Sequence, residues 1–75
     1  MIGVECTFAQ NGRCHIKRIQ IKDDWVPVEQ GRQWVDRQGR HVLVRVPGQP
    51  VQEILLKPDT LTWELVNGRS DIQIV

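Results

Sequence analysis

Apolar and polar residues alternate along most of this 75-residue chain. The first run places Ile2, Val4, Cys6 and Phe8 on one face and small or polar residues on the other. A period of two is typical of a β-strand with one buried face, and no stretch of ten residues keeps the i, i+3, i+4 apolar spacing of a helix. The pattern therefore predicts an all-β chain with little or no helix.

Residues that favour turns divide the alternating runs into about six to eight short strands. The predicted strands cover residues 2–8, 13–21, 25–29, 32–36, 40–46, 51–56, 61–66 and 71–75. The predicted turns carry Asn11-Gly12, Asp23-Asp24, Gln30-Gly31, Gln38-Gly39, residues 47–50, residues 57–60 and Asn67-Gly68. Such spacing indicates a β-barrel or a β-sandwich.

Two local features refine the first hairpin. Asn11-Gly12 is a strong signal for a type I′ turn, which needs positive φ at both central residues. The apolar positions on the returning strand then step by three, from Ile16 to Ile19. That step reverses the inward parity, so we expect a β-bulge near Lys17 and Arg18.

A chain this short most simply removes its exposed edges by bending one antiparallel sheet on itself. We therefore expect one domain over residues 1–75, a strongly bent SH3-like or OB-like small barrel. Pro27 cannot donate a ladder hydrogen bond, so the third strand is predicted to lie at an edge or to contain a bulge. Any gap in the barrel is expected there. The predicted core comprises Ile2, Val4, Phe8, Ile19, Ile21, Val42, Val44, Val46, Ile54, Leu56, Leu61, Trp63, Leu65, Ile72 and Ile74.

Composition narrows the classes of function. Ten Lys and Arg residues against nine Asp and Glu residues give a net charge of +1, which supplies no strong global attraction to nucleic acid or to an anionic membrane. The first residues lack the basic and apolar segments of a signal peptide, and we expect a cytoplasmic protein. Cys6 and Cys14 are too few for a disulfide framework and are interpreted as packed, reduced thiols.

Arginines follow three of the predicted turns. If every connection is a hairpin, Arg13, Arg32 and Arg69 share one end of the barrel, with Glu29 the nearby acid. Arginine holds a phosphate or carboxylate with two parallel hydrogen bonds, so this end is a candidate anion site. Long charged side chains are also the ordinary occupants of solvated positions after a turn.

Trp25 and Trp34 leave two interpretations open. Exposed aromatic residues beside basic ones bind single-stranded nucleic acid on small barrels, and with the three arginines they would form a weak nucleic-acid site. The same residues could instead supply core area. An edge strand with Trp25 and Pro27 offers a third use, as a surface for strand addition or self-association.

The sequence shows no strong catalytic, cofactor or metal motif. Cys14 and His15 are adjacent, so on a strand their side chains point to opposite faces and cannot share a metal ion or form a catalytic pair. We therefore expect no enzyme activity, no cofactor and no metal site. The favoured function is a non-catalytic module that binds a protein partner or itself, and the alternative is weak binding of nucleic acid or anions.

Overall fold

Seven β-strands make up the part of the chain that the computed structural model describes, residues 1–66. They are β1 (Val4–Phe8), β2 (Cys14–Ile21), β3 (Asp24–Pro27), β4 (Glu29–Asp36), β5 (Gly39–Arg45), β6 (Gln52–Leu56) and β7 (Trp63–Leu65). These residues contain no helix, so the all-β prediction is confirmed. None of them forms a helix long and apolar enough to span a membrane. The strand predicted at residues 71–75 lies outside the described residues.

The strands form two antiparallel sheets, ordered β1-β2-β3 and β4-β5-β6-β7. Within residues 1–66, one isolated bridge joins the sheets, in which the Ile2 N–H donates to the Trp63 carbonyl at 3.0 Å. The combined order is then β3-β2-β1-β7-β6-β5-β4, with β3 and β4 at the two ends. Within residues 1–66 no ladder joins those ends, so the closed barrel expected from the sequence is not found there.

The apolar core lies between the two sheets. Its buried members are Cys14, Ile16, Ile19, Val42, Val44, Ile54 and Trp63. The core prediction was wrong for Phe8, Ile21, Leu61 and Leu65, which are exposed. Phe8, Ile21 and Leu65 end their strands and Leu61 lies in a loop, where none of the seven described strands buries them. The predicted core residues Ile72 and Ile74 lie outside the described part of the chain.

The predicted β-bulge is present at Lys17. Glu5 pairs with Arg18 and Cys6 pairs with Ile16, so Lys17 is the extra residue on β2. The bulge restores the inward parity of the strand. The Lys17 carbonyl then accepts the Val28 N–H at 3.2 Å, which fixes the passage from β3 to β4.

The turn predicted at Gln30-Gly31 was wrong. Strand β4 runs through both residues, with an irregular register between Gln30 and Gln33. Glycine in a strand commonly marks such a bulge, so the pair did not require a turn. Only Val28 separates β3 from β4, and one residue is too short for a hairpin loop.

The first hairpin forms where predicted, but not with a type I′ turn. Gly12 has a φ of 88°, whereas Asn11 does not have a positive φ. The Gly12 N–H donates to the Ala9 carbonyl at 2.9 Å, and Ala9 donates to the Arg13 carbonyl at 2.8 Å. A loop of this length is usually built around a type I turn. Such a loop needs positive φ only at the residue after the turn, which here is Gly12, whereas a type I′ turn needs it at two residues.

Two glutamine side chains connect β4 to β2 where no backbone ladder does. The Gln30 amide accepts the Ile16 N–H at 2.7 Å and donates to the Cys14 carbonyl at 2.9 Å. The Gln33 amide accepts the Cys14 N–H at 3.0 Å and donates to the same carbonyl at 2.8 Å. We call Gln30 and Gln33 the glutamine clasp. It satisfies β2 backbone groups that would otherwise be left open at this edge.

Candidate functional site

The outer edge of β3 exposes the backbone of Trp25. The Gln20 N–H donates to the Gly3 carbonyl at 2.8 Å, on the β1 side of β2. The backbone N–H and C=O groups of successive strand residues point to opposite sides of the strand. Those of Ile19 therefore point toward β3, where they bond with the backbone of its partner Val26. The N–H and C=O of Trp25 therefore point away from β2, toward a side where no described strand lies.

Pro27 occupies the next outward position on the same edge. The Val28 N–H bonds to the Lys17 carbonyl, so Val26 and Val28 face inward and Pro27 faces outward. A proline there removes no hydrogen bond from the ladder. The predicted edge position of the third strand is confirmed. Because Pro27 has no N–H, the backbone groups open at this edge are the N–H and C=O of Trp25 and the C=O of Pro27.

The indole of Trp25 lies on the outer face of the first sheet and is 47% exposed. A Cβ atom on Gly3 would come within 3.0 Å of Trp25 Cη2 and 2.7 Å of Gln20 Oε1, so the ring lies across the Gly3 backbone. A depression of about 360 Å³ adjoins the ring and is also lined by Val4, Glu5 and Arg18. An exposed aromatic ring, a recess and an open backbone edge thus occupy one surface.

The recess carries an ion pair rather than a net charge. Arg18 Nε donates to Glu5 Oε1 at 2.5 Å. This hydrogen bond lowers the pKa of Glu5 and raises the pKa of Arg18, so both groups stay charged near neutral pH. Because both side chains are about half exposed, the pair adds little stability, and its main effect is to fix a polar border beside Trp25.

The three predicted arginines are not grouped by the turns. Arg13 lies in the β1–β2 loop, but Arg32 lies inside β4, because the turn that would have preceded it is absent. The turn count that placed the two at one end is therefore wrong. Arg69 lies outside the described residues.

Two of the predicted site residues do meet. The Arg32 guanidinium lies 5.6 Å from the centre of the Trp34 ring, within the range of a cation–π contact. The Trp34 ring also stacks on the ring of His41, at 5.0 Å between centroids and 3° between planes. Trp34 is thus partly buried on the second sheet, whereas Trp25 is exposed on the first.

A buried cluster around His41 was missed from the sequence. His41 Nδ1 lies 2.6 Å from Glu53 Oε2, and Nε2 lies 2.9 Å from Asp36 Oδ1. Burial acts to lower the pKa of His41, but the hydrogen bonds to both carboxylates outweigh it, and the pKa is raised. The hydrogen bond from His41 in turn lowers the pKa of Asp36. His41 directly precedes the core residue Val42 in an alternating strand, so the pattern alone indicated that the His41 side chain points away from the core.

This cluster has the chemistry of a structural ion triad. Both ring nitrogens of His41 are already engaged by carboxylates, and no hydroxyl or thiol hydrogen-bonds to it in residues 1–66. Those residues also contain no group of three His, Cys, Asp or Glu side chains arranged to hold a metal ion.

The two cysteines are free thiols. Burial, with a smaller effect of neighbouring Cys6, raises the pKa of Cys14 to about 12. The Cys14 thiol therefore stays protonated near neutral pH, and since the thiolate is the nucleophile, it is chemically inert.

Comparison with protein-family models, with curated proteins and with solved structures finds no match to this chain.

Proposed function

We propose that this chain is a non-catalytic module that binds an extended segment of another protein along the outer edge of β3. The observation that carries the proposal is the outward N–H and C=O of Trp25, with its half-exposed indole on the same surface. An extended peptide adds to an open strand through such backbone groups and gains specificity from pockets beside it. The recess next to Trp25 would receive one side chain of that peptide.

The charge distribution favours a protein partner over a polyanion. Arg18 pairs with Glu5, Arg45 pairs with Glu29, and Arg40 donates to Gln33. These contacts neutralise or occupy several of the cations that a phosphate backbone would need. A protein segment requires no such excess of positive charge.

The alternative is weak binding of nucleic acid or anions through Arg13, Arg32 and Arg69, with Trp25 and Trp34. The Arg32–Trp34 contact favours it, because stacked aromatic and guanidinium groups bind unpaired bases. Binding of that kind weakens steeply as salt increases, whereas strand addition does not.

The proposed setting is a small SH3-like barrel in the cytoplasm. The glutamine clasp supports the barrel comparison, because it ties β4 to β2 by side chains where a ladder would otherwise close the sheet. The two free thiols support a reducing compartment.

Selection from a library of random displayed peptides tests the proposal. We expect the wild-type chain to enrich peptides of β-forming sequence, and Trp25→Ala to lower the affinity for them by tenfold or more, since an aromatic anchor contributes about 2 kcal/mol or more at a binding hot spot. Val35→Ala, which shortens another exposed apolar side chain, should bind as the wild type does.

Enrichment that Trp25→Ala leaves unchanged would contradict the proposal. Sedimentation of the chain alone is the companion measurement. A dimer that Trp25→Ala dissociates would make the partner a second copy of the chain and would contradict the need for another protein.

A further inference from the structure

A second cavity, separate from Trp25, lies between the β1–β2 loop and β4. Its volume is about 340 Å³, within the range of cavities that hold small ligands. The lining residues that matter here are Thr7, Phe8, Arg13, His15, Gln30 and Gln33. We call this the hairpin cavity.

The polar groups of the hairpin cavity include several hydrogen-bond donors. Arg13 contributes an exposed guanidinium, and Thr7 contributes a hydroxyl. Gln30 and Gln33 each donate one amide hydrogen to the Cys14 carbonyl, which leaves the second hydrogen of each amide without a partner among residues 1–66. Within that same part of the chain, no Asp or Glu lines the cavity. A concave site with a permanent cation, spare donors and no acid attracts an oxyanion.

The site is held in place by bonds that do not use the Arg13 side chain. The Arg13 N–H donates to Asn11 Oδ1 at 3.0 Å, and its carbonyl accepts the Ala9 N–H at 2.8 Å. The glutamine clasp fixes the part of the cavity lined by Gln30 and Gln33, because both side-chain amides hydrogen-bond to the backbone of β2. The Arg13 backbone and the two amides are thus positioned before a ligand arrives, which reduces the entropy lost on binding.

Phe8 adds an apolar surface to the same cavity. It is 54% exposed, although its cross-strand partner Cys14 is buried. An aromatic ring packs well against such a side chain while its anionic group reaches the donors. We infer that the hairpin cavity binds a small organic oxyanion, a carboxylate or phosphate attached to an aromatic ring.

Titration followed by amide NMR tests this inference at constant ionic strength near 0.15 M. The probes are phenyl phosphate, benzoate and inorganic phosphate. We expect one or both aromatic probes to shift the backbone signals of Phe8, Arg13 and His15 and the side-chain amides of Gln30 and Gln33, with saturation. Inorganic phosphate should bind more weakly because it has no ring. The two aromatic probes distinguish a phosphate from a carboxylate as the preferred group.

Two variants sharpen the test. Arg13→Gln should weaken binding of the preferred probe by tenfold or more, and its spectrum shows directly whether the fold is kept. Arg37→Gln removes an exposed arginine from the β4–β5 turn and should leave the affinity unchanged. Phe8→Ala should abolish the advantage of the aromatic probe over inorganic phosphate.

Equal affinity in wild type and Arg13→Gln would overturn the inference, as would shifts spread over Arg37 and Arg45. The result is independent of the proposed protein partner, because its signals come from residues 7–15 and the glutamine clasp rather than from Trp25.

Discussion

Gly39 ends the turn between β4 and β5 with a φ of 137°, a conformation that residues with a Cβ rarely adopt. A Cβ atom there would lie 2.1 Å from the Leu56 carbonyl oxygen and 3.0 Å from Pro58 Cδ. Backbone strain and a clash with backbone therefore coincide at one position. Gly48 has a φ of 87°, but a Cβ atom there would meet no atom of residues 1–66 within 4 Å, so only strain applies.

Substitution by alanine should separate these two effects. We expect Gly39→Ala to lower the free energy of unfolding by about 3 kcal/mol or more, and Gly48→Ala to lower it by about 1 kcal/mol. Urea denaturation of both variants measures the difference. Equal losses would show that the contact with the Leu56 carbonyl is relieved without penalty.

His41 makes stability depend on pH. Its pKa is raised in the folded chain because the hydrogen bonds to Asp36 and Glu53 outweigh the effect of burial. A raised pKa means that protonated His41 stabilises the fold fully below its unfolded pKa of about 6.5, and that this contribution is lost as the pH rises through the folded pKa. We expect the free energy of unfolding to fall as the pH rises above about 6.5.

The variants His41→Gln and His15→Gln identify the residue responsible. His15 is exposed and should keep the wild-type dependence when replaced, whereas His41→Gln should remove it. Urea denaturation at pH 6 to 8 is suitable, because this range lies below the ordinary thiol pKa of about 8.5, so Cys14 stays largely protonated in both the folded and the unfolded chain. The same slope in all three proteins would place the titration elsewhere.

At the scale of elements, the glutamine clasp is the contact that fixes β4 against β2. Gln33 accepts hydrogen bonds from the Cys14 N–H and from Arg40 Nη1, the latter at 2.7 Å. Leucine at this position would fill a similar volume but leave the Cys14 N–H without its acceptor. A buried donor that loses its partner is destabilising by about 1–3 kcal/mol.

We therefore expect Gln33→Leu to lower the free energy of unfolding by about 1–3 kcal/mol. Gln52→Leu provides the matched control, because Gln52 is exposed on β6 and should change stability by less than about 0.5 kcal/mol. Chemical denaturation of both variants checks this. An equal effect of the two changes would mean that the clasp does not stabilise the junction.

Local patterns predicted the strands well and their connections less well. In a regular strand, side chains three residues apart point to opposite faces. Ile16 and Ile19 could therefore both face the core only if a bulge lay between them, and it lies at Lys17. Gln30-Gly31 carried no such constraint, since a glycine in a strand suits a bulge as well as a turn. The difference depends on the pairing with β5, which is not a local property.

The candidate site, like the strands, was predictable where a local pattern determined it and not where it depended on strand pairing. Pro27 indicated an edge strand because proline lacks the donor that an inner position requires. The clustering of Asp36, His41 and Glu53 could not be predicted, since it brings together three strands whose register is set by the whole sheet. The turn count that grouped Arg13 with Arg32 was wrong, because it counted a hairpin turn at Gln30-Gly31 where β4 continues.

At the scale of the whole molecule, the strand order begins at β3 and ends at β4, and β4 is tied back to β2 through side chains rather than a ladder. Among residues 1–66, this arrangement leaves the outer edge of β3 unpaired while Pro27 keeps it short. A short edge limits uncontrolled association and still permits binding to one segment. We propose that a partner strand pairs with the backbone of Trp25 at this edge.

Amide hydrogen exchange of the chain, with and without a peptide from the selection, tests this pairing. We expect the Trp25 amide to exchange rapidly in the free chain and at least tenfold more slowly in the complex, because it becomes bonded to the added strand. The Val26 amide, already bonded to β2, should change little. A peptide that binds while the Trp25 amide keeps its rapid exchange would contradict strand addition at β3.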